Sequence, residues 1–262
     1  LFAGRTIEGL TNGVHHRTWC HPHMAALYDT DLPAWRTDPT ALRGAVHLDD
    51  YALSEARQRT KTDLIEYANA RCRAGLRPEL LTLGFARRMT AYKRANLILH
   101  NRERLEEVAR QAGGLQLIVA GKAHPNDREG QELLADLVRL GRDHTSALRV
   151  AVIPDYSMWH GRLITGGADF WLNNPVRPLE ASGTSGMKAS LQGVPNLSIL
   201  DGWWVEGCAD EVNGFAFGGT TPDRDDEGDA EALYDTLANR VIPLWSNRDK
   251  RPWRAMQKSA IA

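Results

Sequence analysis

Ala168-Asp169-Phe170-Trp171-Leu172, then Glu180-Ala181-Ser182-Gly183-Thr184-Ser185-Gly186-Met187-Lys188, then Leu197-Ser198-Ile199-Leu200, is the run on which the architecture turns. Two short apolar stretches flank a small, polar, glycine-rich segment that ends in a single lysine. That order predicts a buried strand, a loop entering a short helix, and a second buried strand. Gly183 and Gly186 permit close approach of backbone to a ligand. Free amides at the helix start favour an anion. Thr184 and Lys188 lie four apart, so on a helix they share a face. An anion near Thr184 and an aldehyde at Lys188 match the two ends of pyridoxal phosphate. On spacing alone, the same letters also describe a surface Gly/Ser loop with a solvated lysine.

Working outward, strands and helices alternate. Leu80 to Phe85, Leu115 to Ala120 and Leu148 to Pro154 are short apolar runs that read as further buried strands. Between them, Asn96 to Gln111 and Gln131 to Leu140 carry leucine and valine at helical spacing, and Tyr156 to Ile164 is a candidate helix. Residues 52–74 are charged, with Leu64, Ile65 and Ala68 on one helical face and Gly75 as the stop. Residues 26–50 read as proline- and aspartate-bearing connectors. The fold expected is α/β, a Rossmann-like parallel sheet with helices on both faces. Ligands of such sheets sit beyond the strand carboxyl ends. Arg87/Arg88, His124, Tyr156 and the glycine loop each follow a predicted strand and are expected on that edge. The acidic stretch Pro222 to Glu231 reads as a mobile, solvated loop.

Composition narrows the class. The chain has 262 residues, 42% apolar and 25% charged, with a net charge of −1. It is long enough for a sizeable packed core, and both signs of charge are interspersed. No basic field points to nucleic acid or a membrane surface, and no apolar run approaches a membrane span. Cys20, Cys72 and Cys208 are widely spaced and odd in number, which suits reduced thiols in a cytoplasmic protein. The chain begins at Leu1 and ends in helical-looking sequence, so it is expected to be a fragment of a longer protein.

EASGTSGMK, residues 180–188, resembles the cofactor-lysine signature of the α-glucan phosphorylases (glycogen, starch and maltodextrin), in particular the bacterial branch. Two other segments agree in order and spacing. Thr11-Asn12-Gly13 through Trp19 resembles one family segment. Arg87-Arg88-Met89-Thr90-Ala91-Tyr92-Lys93-Arg94 resembles the family's phosphate-recognition segment. The resemblance runs from about Thr11 to Trp245. It implies that residues 1–262 are the pyridoxal-phosphate-binding C-terminal catalytic lobe of a glycosyltransferase-B fold, with the N-terminal lobe absent.

By this resemblance, Lys188 binds the cofactor aldehyde, Gly183, Thr184 and Ser185 cradle its phosphate, and Trp19, Arg87 and Tyr156 complete its pocket. Arg88 and Lys93 bind inorganic phosphate. Asn12, Glu180, Ser182 and Gly183 hold the glucosyl hydroxyls, with Glu180 orienting the ring. Fixed cations are needed because two neighbouring dianions repel. The implied reaction is phosphorolysis of α-1,4-glucan to α-glucose 1-phosphate with retention, in which the phosphate of pyridoxal 5'-phosphate serves proton transfer. Implied partners are the glucan, inorganic phosphate and the missing lobe, with a homodimer as one candidate assembly. The isolated piece is expected to be inactive. Ser185-Gly186 stands where animal enzymes have Gly-Asn. Trp159-His160-Gly161 departs from the family's small apolar helix segment, a change that carries no functional reading and is compatible with simple repacking.

Other signals carry less. His15, His16, His21 and His23 with Cys20 lack a recognised zinc spacing, so no metal is expected. Trp203-Trp204 is expected in the core or at a lobe interface. Two alternatives stay open: a nucleotide-sugar-dependent glycogen or starch synthase-like glycosyltransferase, and a non-catalytic glucan-binding remnant.

Overall fold

Six parallel strands form one sheet in the computed structural model, which describes residues 4, 9–142, 147–221 and 223–262. They are β1 (Leu81–Arg88), β2 (Leu115–Lys122), β3 (Leu148–Ile153), β4 (Phe170–Asn173), β5 (Asn196–Ile199) and β6 (Gly214–Phe217), in the order β3-β2-β1-β4-β5-β6. The chain winds outward from β1 in one direction, then returns to start β4 against the other side of β1, with Leu83 opposite Phe170 and Gly84 opposite Trp171. The carboxyl ends of β1 and β4 therefore flank the topological switch point, where open α/β sheets leave a crevice.

The helices are α1 (His16–Trp19), α2 (Pro22–Asp31), α3 (Asp50–Cys72), α4 (Arg102–Gln111), α5 (Arg128–Leu140), α6 (Met158–Gly167), α7 (Thr184–Ser190), α8 (Trp204–Gly207), α9 (Asp226–Thr236), α10 (Ile242–Ser246) and α11 (Arg251–Ile261). Alternation along β1 sorts its side chains. Leu81, Leu83 and Phe85 join the core beneath α4, α9 and α11, with Leu105, Leu233, Trp253 and Met256. Ala86 joins the opposite core with Leu64 and Ile65 of α3 and Leu163 and Ile164 of α6. Burial on both faces explains why the strands read as continuous apolar runs. A third, smaller core joins α2 to the start of α3 around Tyr28 and Trp35.

Local chemistry sets the ends of these elements. Asp49 caps α3 by accepting the Tyr51 and Ala52 amides at 3.0 and 2.9 Å. Arg73 closes that helix in the left-handed region (φ 53°), two residues before the expected glycine stop. At the amino edge of the sheet, the Lys61 ammonium meets Asp169 at 2.6 Å and donates to the Leu80 carbonyl at 2.8 Å. The same Asp169 oxygen accepts the Thr82 amide at 2.8 Å, which ties α3, β1 and β4 together.

Five points need correction. β1 runs to Arg88, so both arginines end the strand instead of following it. The strand β6 was not expected, because Gly214 at its start and Gly218-Gly219 after it punctuate a short run like a loop. Asn96 to Gln111 is not one helix: a 3-10 turn over Leu97–Leu99 precedes α4, whose cap is Asn101. The acidic stretch is not a loop, since α9 begins at Asp226 under an Asp225 cap. Carboxylates in the first turn of α9 favour its positive end; Pro222 lies outside the described residues. Residues 26–50 also hold more order than connectors, with 3-10 helices at Pro33–Arg36 and Pro39–His47.

Candidate active site

At the switch point, a cleft of about 420 Å³ is lined by Asn12, Arg87, Arg88, Tyr92, Lys93, Tyr156, Glu180 and the loop from Ala181 to Ser185, with Lys188. The three sequence segments singled out above thus share one wall system. β1 delivers Arg87 and Arg88, and a 3-10 turn, Ala91–Lys93, brings Lys93 back over them. The chain leaving β4 supplies Glu180, and α7 carries Thr184 and Lys188 one turn apart.

Charge in the cleft is unbalanced: four cations (Arg87, Arg88, Lys93 and Lys188) face the single carboxylate of Glu180. Glu180 is 7% exposed, and its Oε2 accepts from Arg87 Nη2 at 2.9 Å and from the Lys93 ammonium. Its own amide donates to Asp201 at 2.9 Å, which fixes the loop. Burial lowers the Lys93 pKa to about 8, with Arg87 adding repulsion and Glu180 opposing both. Burial also lowers Arg87, against the pull of Glu180. Lys188 is lowered by burial alone, which favours the neutral, nucleophilic amine. Its Nζ stands 3.7 Å from the centre of the Trp19 ring. Tyr156 is raised by burial, with Arg87 opposing.

A parallel sheet in the order 3-2-1-4-5-6, with a cation-lined cleft and a half-buried lysine of lowered pKa at its switch point, is the arrangement of an α/β ligand-binding fold. The chain belongs to the carbohydrate phosphorylase family, whose model matches residues 2–239. It is 40% identical to a glycogen phosphorylase of Aquifex aeolicus over 97% of the chain and 41% of that protein. It is 39% identical to a maltodextrin phosphorylase of Thermococcus litoralis over 97% of the chain and 33% of that protein. A glycogen phosphorylase of Mycobacterium tuberculosis is 39% identical over 94% of the chain and 31% of its own length. The chain spans about two fifths or less of these curated relatives.

Most residues expected at the site come together, but some arrive differently. Glu180, expected on sugar hydroxyls, is engaged with Arg87 and Lys93. Gly183 does sit in the left-handed region, at φ 79°, as the cap of α7. Gly186 has another cause, since a Cβ there would run into Asn196 and stand 2.7 Å from Trp203 Nε1. Its smallness serves packing beneath the loop. His124 does not line the cleft; its Nδ1 accepts the Asn126 amide at 3.2 Å within its own turn. Trp204 is fully buried, and Trp203 packs against the glycine loop.

Two features escaped the sequence. Gly161 is needed small, because a Cβ would stand 2.9 Å from Tyr156 Oη and 3.2 Å from Trp19. Its neighbour His160 closes the start of α6: Nδ1 accepts the Ser157 amide at 3.2 Å, while Nε2 meets Tyr67 Oη at 2.6 Å. Trp159-His160-Gly161 therefore caps a helix and clears a pocket wall. Elsewhere, His21, His23 and Asp63 bring donor atoms within 4.8 Å of one another. His21 Nδ1 accepts the His23 amide at 3.4 Å, which leaves the neutral ring's proton on Nε2, facing Asp63 at 3.6 Å. That tautomer suits a hydrogen-bonded cap better than a metal ligand.

No helix among the described residues is long and apolar enough to cross a membrane.

Proposed function

We propose that this chain is the cofactor-bearing C-terminal lobe of an α-glucan phosphorylase, which cleaves α-1,4-glucan with inorganic phosphate to give α-glucose 1-phosphate with retention. The observation that carries the reading is the gathering of Arg87, Arg88, Lys93, Glu180 and Lys188 on one cleft at the switch point. The chain's share of its relatives' length suits one lobe of a two-lobed enzyme, with the other lobe closing the cleft.

Pyridoxal phosphate fits the residues present. Arg87 Nη1 and Ser182 Oγ are buried without a hydrogen-bond partner, so the cleft holds unspent donors. Left-handed Gly183 opens α7 with no side-chain cap, leaving amides for an anion. Trp19 offers a flat wall beside an amine of lowered pKa. When bound, the group supplies a phosphate that exchanges protons with the substrate phosphate.

The chain's own residues do the rest. Lys188 holds the aldehyde end, and Gly183, Thr184, Ser185 and Arg87 hold the anionic end, with Tyr156 and Trp19 as walls. Arg88 and Lys93 bind inorganic phosphate, and their charge offsets the repulsion between two dianions. Asn12, Ser182, Gly183 and Glu180 orient the glucosyl unit. A phosphate dianion held there stabilises the positive charge that develops on the sugar. Three free cysteines accord with a cytoplasmic setting.

The test is phosphorolysis of a maltooligosaccharide by the full-length protein and by its Lys188→Ala variant. The expected result is glucose 1-phosphate from the parent and none from the variant, with loss of cofactor absorbance. Full phosphorolysis by the variant would overturn the role of Lys188, and a parent that makes no glucose 1-phosphate would overturn the reading and favour a nucleotide-sugar synthase.

A further inference from the structure

Arg94 closes the basic segment, yet it does not line the cleft and is 2% exposed. Its guanidinium donates to the carbonyls of Asn174 at 2.9 Å and Pro175 at 2.8 Å. It also pairs with Asp226 at 3.0 Å and Asp229 at 2.7 Å, the first turn of α9. The main chain is clamped as well. Arg94 adopts φ 48°, its amide donates to the Ala91 carbonyl at 3.1 Å, and its carbonyl accepts from Asn174 Nδ2 at 2.6 Å. One residue upstream in the same turn stands Lys93.

We infer that Arg94 is a positioning residue for phosphate: it fastens the turn bearing Lys93 to the chain leaving β4, with the acid pair of α9 as its counter-charge. The role rests on the proposed phosphorylase reading. Three physical points support it. The planar fork of five donors reaches four acceptors on two segments, which a lysine cannot reproduce. Two carboxylates neutralise the guanidinium, so it adds no free charge to the anion cleft. Finally, the two sides of the cleft differ in how they are held. The Glu180 loop has anchors of its own, through Asp201 at 2.9 Å and through Trp203, whose amide donates to the Ser182 carbonyl at 2.8 Å. Besides the Lys93–Glu180 pair inside the cleft, the backbone of the Lys93 turn reaches the β4 exit through the Val176 amide to the Tyr92 carbonyl at 2.7 Å and through Arg94. Loosening Arg94 should therefore release Lys93 more than Glu180.

The experiment compares full-length Arg94→Lys, Arg94→Gln and Asp226→Asn proteins with the parent, measuring KM for inorganic phosphate, KM for maltooligosaccharide, cofactor absorbance and melting temperature. In Arg94→Gln the phosphate KM should rise about tenfold, the size of one charge-assisted hydrogen bond, while the glucan KM and cofactor content hold. Arg94→Lys should fall between the parent and Arg94→Gln. Asp226→Asn, at the partly exposed partner, should shift the phosphate KM in the same direction by less and keeps the test alive if Arg94→Gln fails to fold. An unchanged phosphate KM in folded variants, or an equal rise in both KM values, overturns the role. A parent protein that makes no glucose 1-phosphate instead overturns the underlying functional reading.

Discussion

Two buried charge groups stand at opposite ends of the same strands, and they are built on different rules. At the amino edge, Lys61 meets Asp169 one to one, and the remaining bonds of the pair go to the Leu80 carbonyl and the Thr82 amide. At the carboxyl edge, Arg87 and Lys93 converge on one oxygen of Glu180, with Arg88 and Lys188 lining the same cleft and Arg87 Nη1 unpartnered. Matched charge ties elements together. Surplus charge around a partly buried cleft is costly unless an anion joins it, which is the arrangement expected of an anion-binding edge.

The largest effect should come from breaking the matched pair. Lys61→Met leaves Asp169 buried and uncompensated, and should lower stability by about 3–5 kcal/mol in a denaturant melt. Turnover per folded molecule should hold. Adding Asp169→Leu should recover only part of the loss, because the Thr82 amide then lacks its acceptor. In the unmatched cluster the signs reverse. Lys93→Met should cut kcat/KM for phosphate by about 10²–10³-fold, as for loss of one preorganised cation. Its melting temperature should hold or rise, since the fold disfavours that ammonium. A clear fall in melting temperature would make the two clusters alike and end the comparison.

Acidity sharpens the contrast further. The Lys93 pKa lies at about 8 in the fold against an ordinary 10.5. Below about 8 the ammonium is present, and above it the proton is lost, so phosphate KM should rise about tenfold per pH unit there. Stability moves the other way: between about 8 and 10.5 the unfolded chain holds a proton that the folded one lacks, so this group's contribution grows with pH. Lys93→Arg, charged throughout, should flatten the phosphate profile. The smallest effect is expected at His160→Ala, which removes a helix-start bond and should cost about 1 kcal/mol with phosphate and glucan KM unchanged.

The two edges were unequally legible in the sequence. Apolar runs at Leu115 to Ala120 and Leu148 to Pro154 announced central strands, and EASGTSGMK announced the lysine loop, because each signal is contiguous. The Lys61–Asp169 pair joins residues far apart in the chain and has no local pattern. Arg94 was visible in the basic segment, but its partners lay in an acidic stretch that reads as solvent-facing by composition. Asp225 followed by Ala230, Leu233 and Tyr234 at helical spacing was the signal for α9, masked by the density of charge. Gly161 reads as an ordinary helix glycine until Tyr156 and Trp19 are placed beside it. Strand β6 was hidden by the glycines at its start and just beyond it, not by its length, since β4 and β5 are as short.

The central claim is that the surplus cations at the carboxyl edge surround a pyridoxal phosphate anchored on Lys188. Borohydride reduction of the cofactor-supplied full-length protein, followed by peptide mapping, addresses it most directly. The expected result is a pyridoxyl group on the peptide that carries Lys188, and on no other lysine peptide. A folded, cofactor-supplied protein that yields an unmodified Lys188 peptide would contradict it.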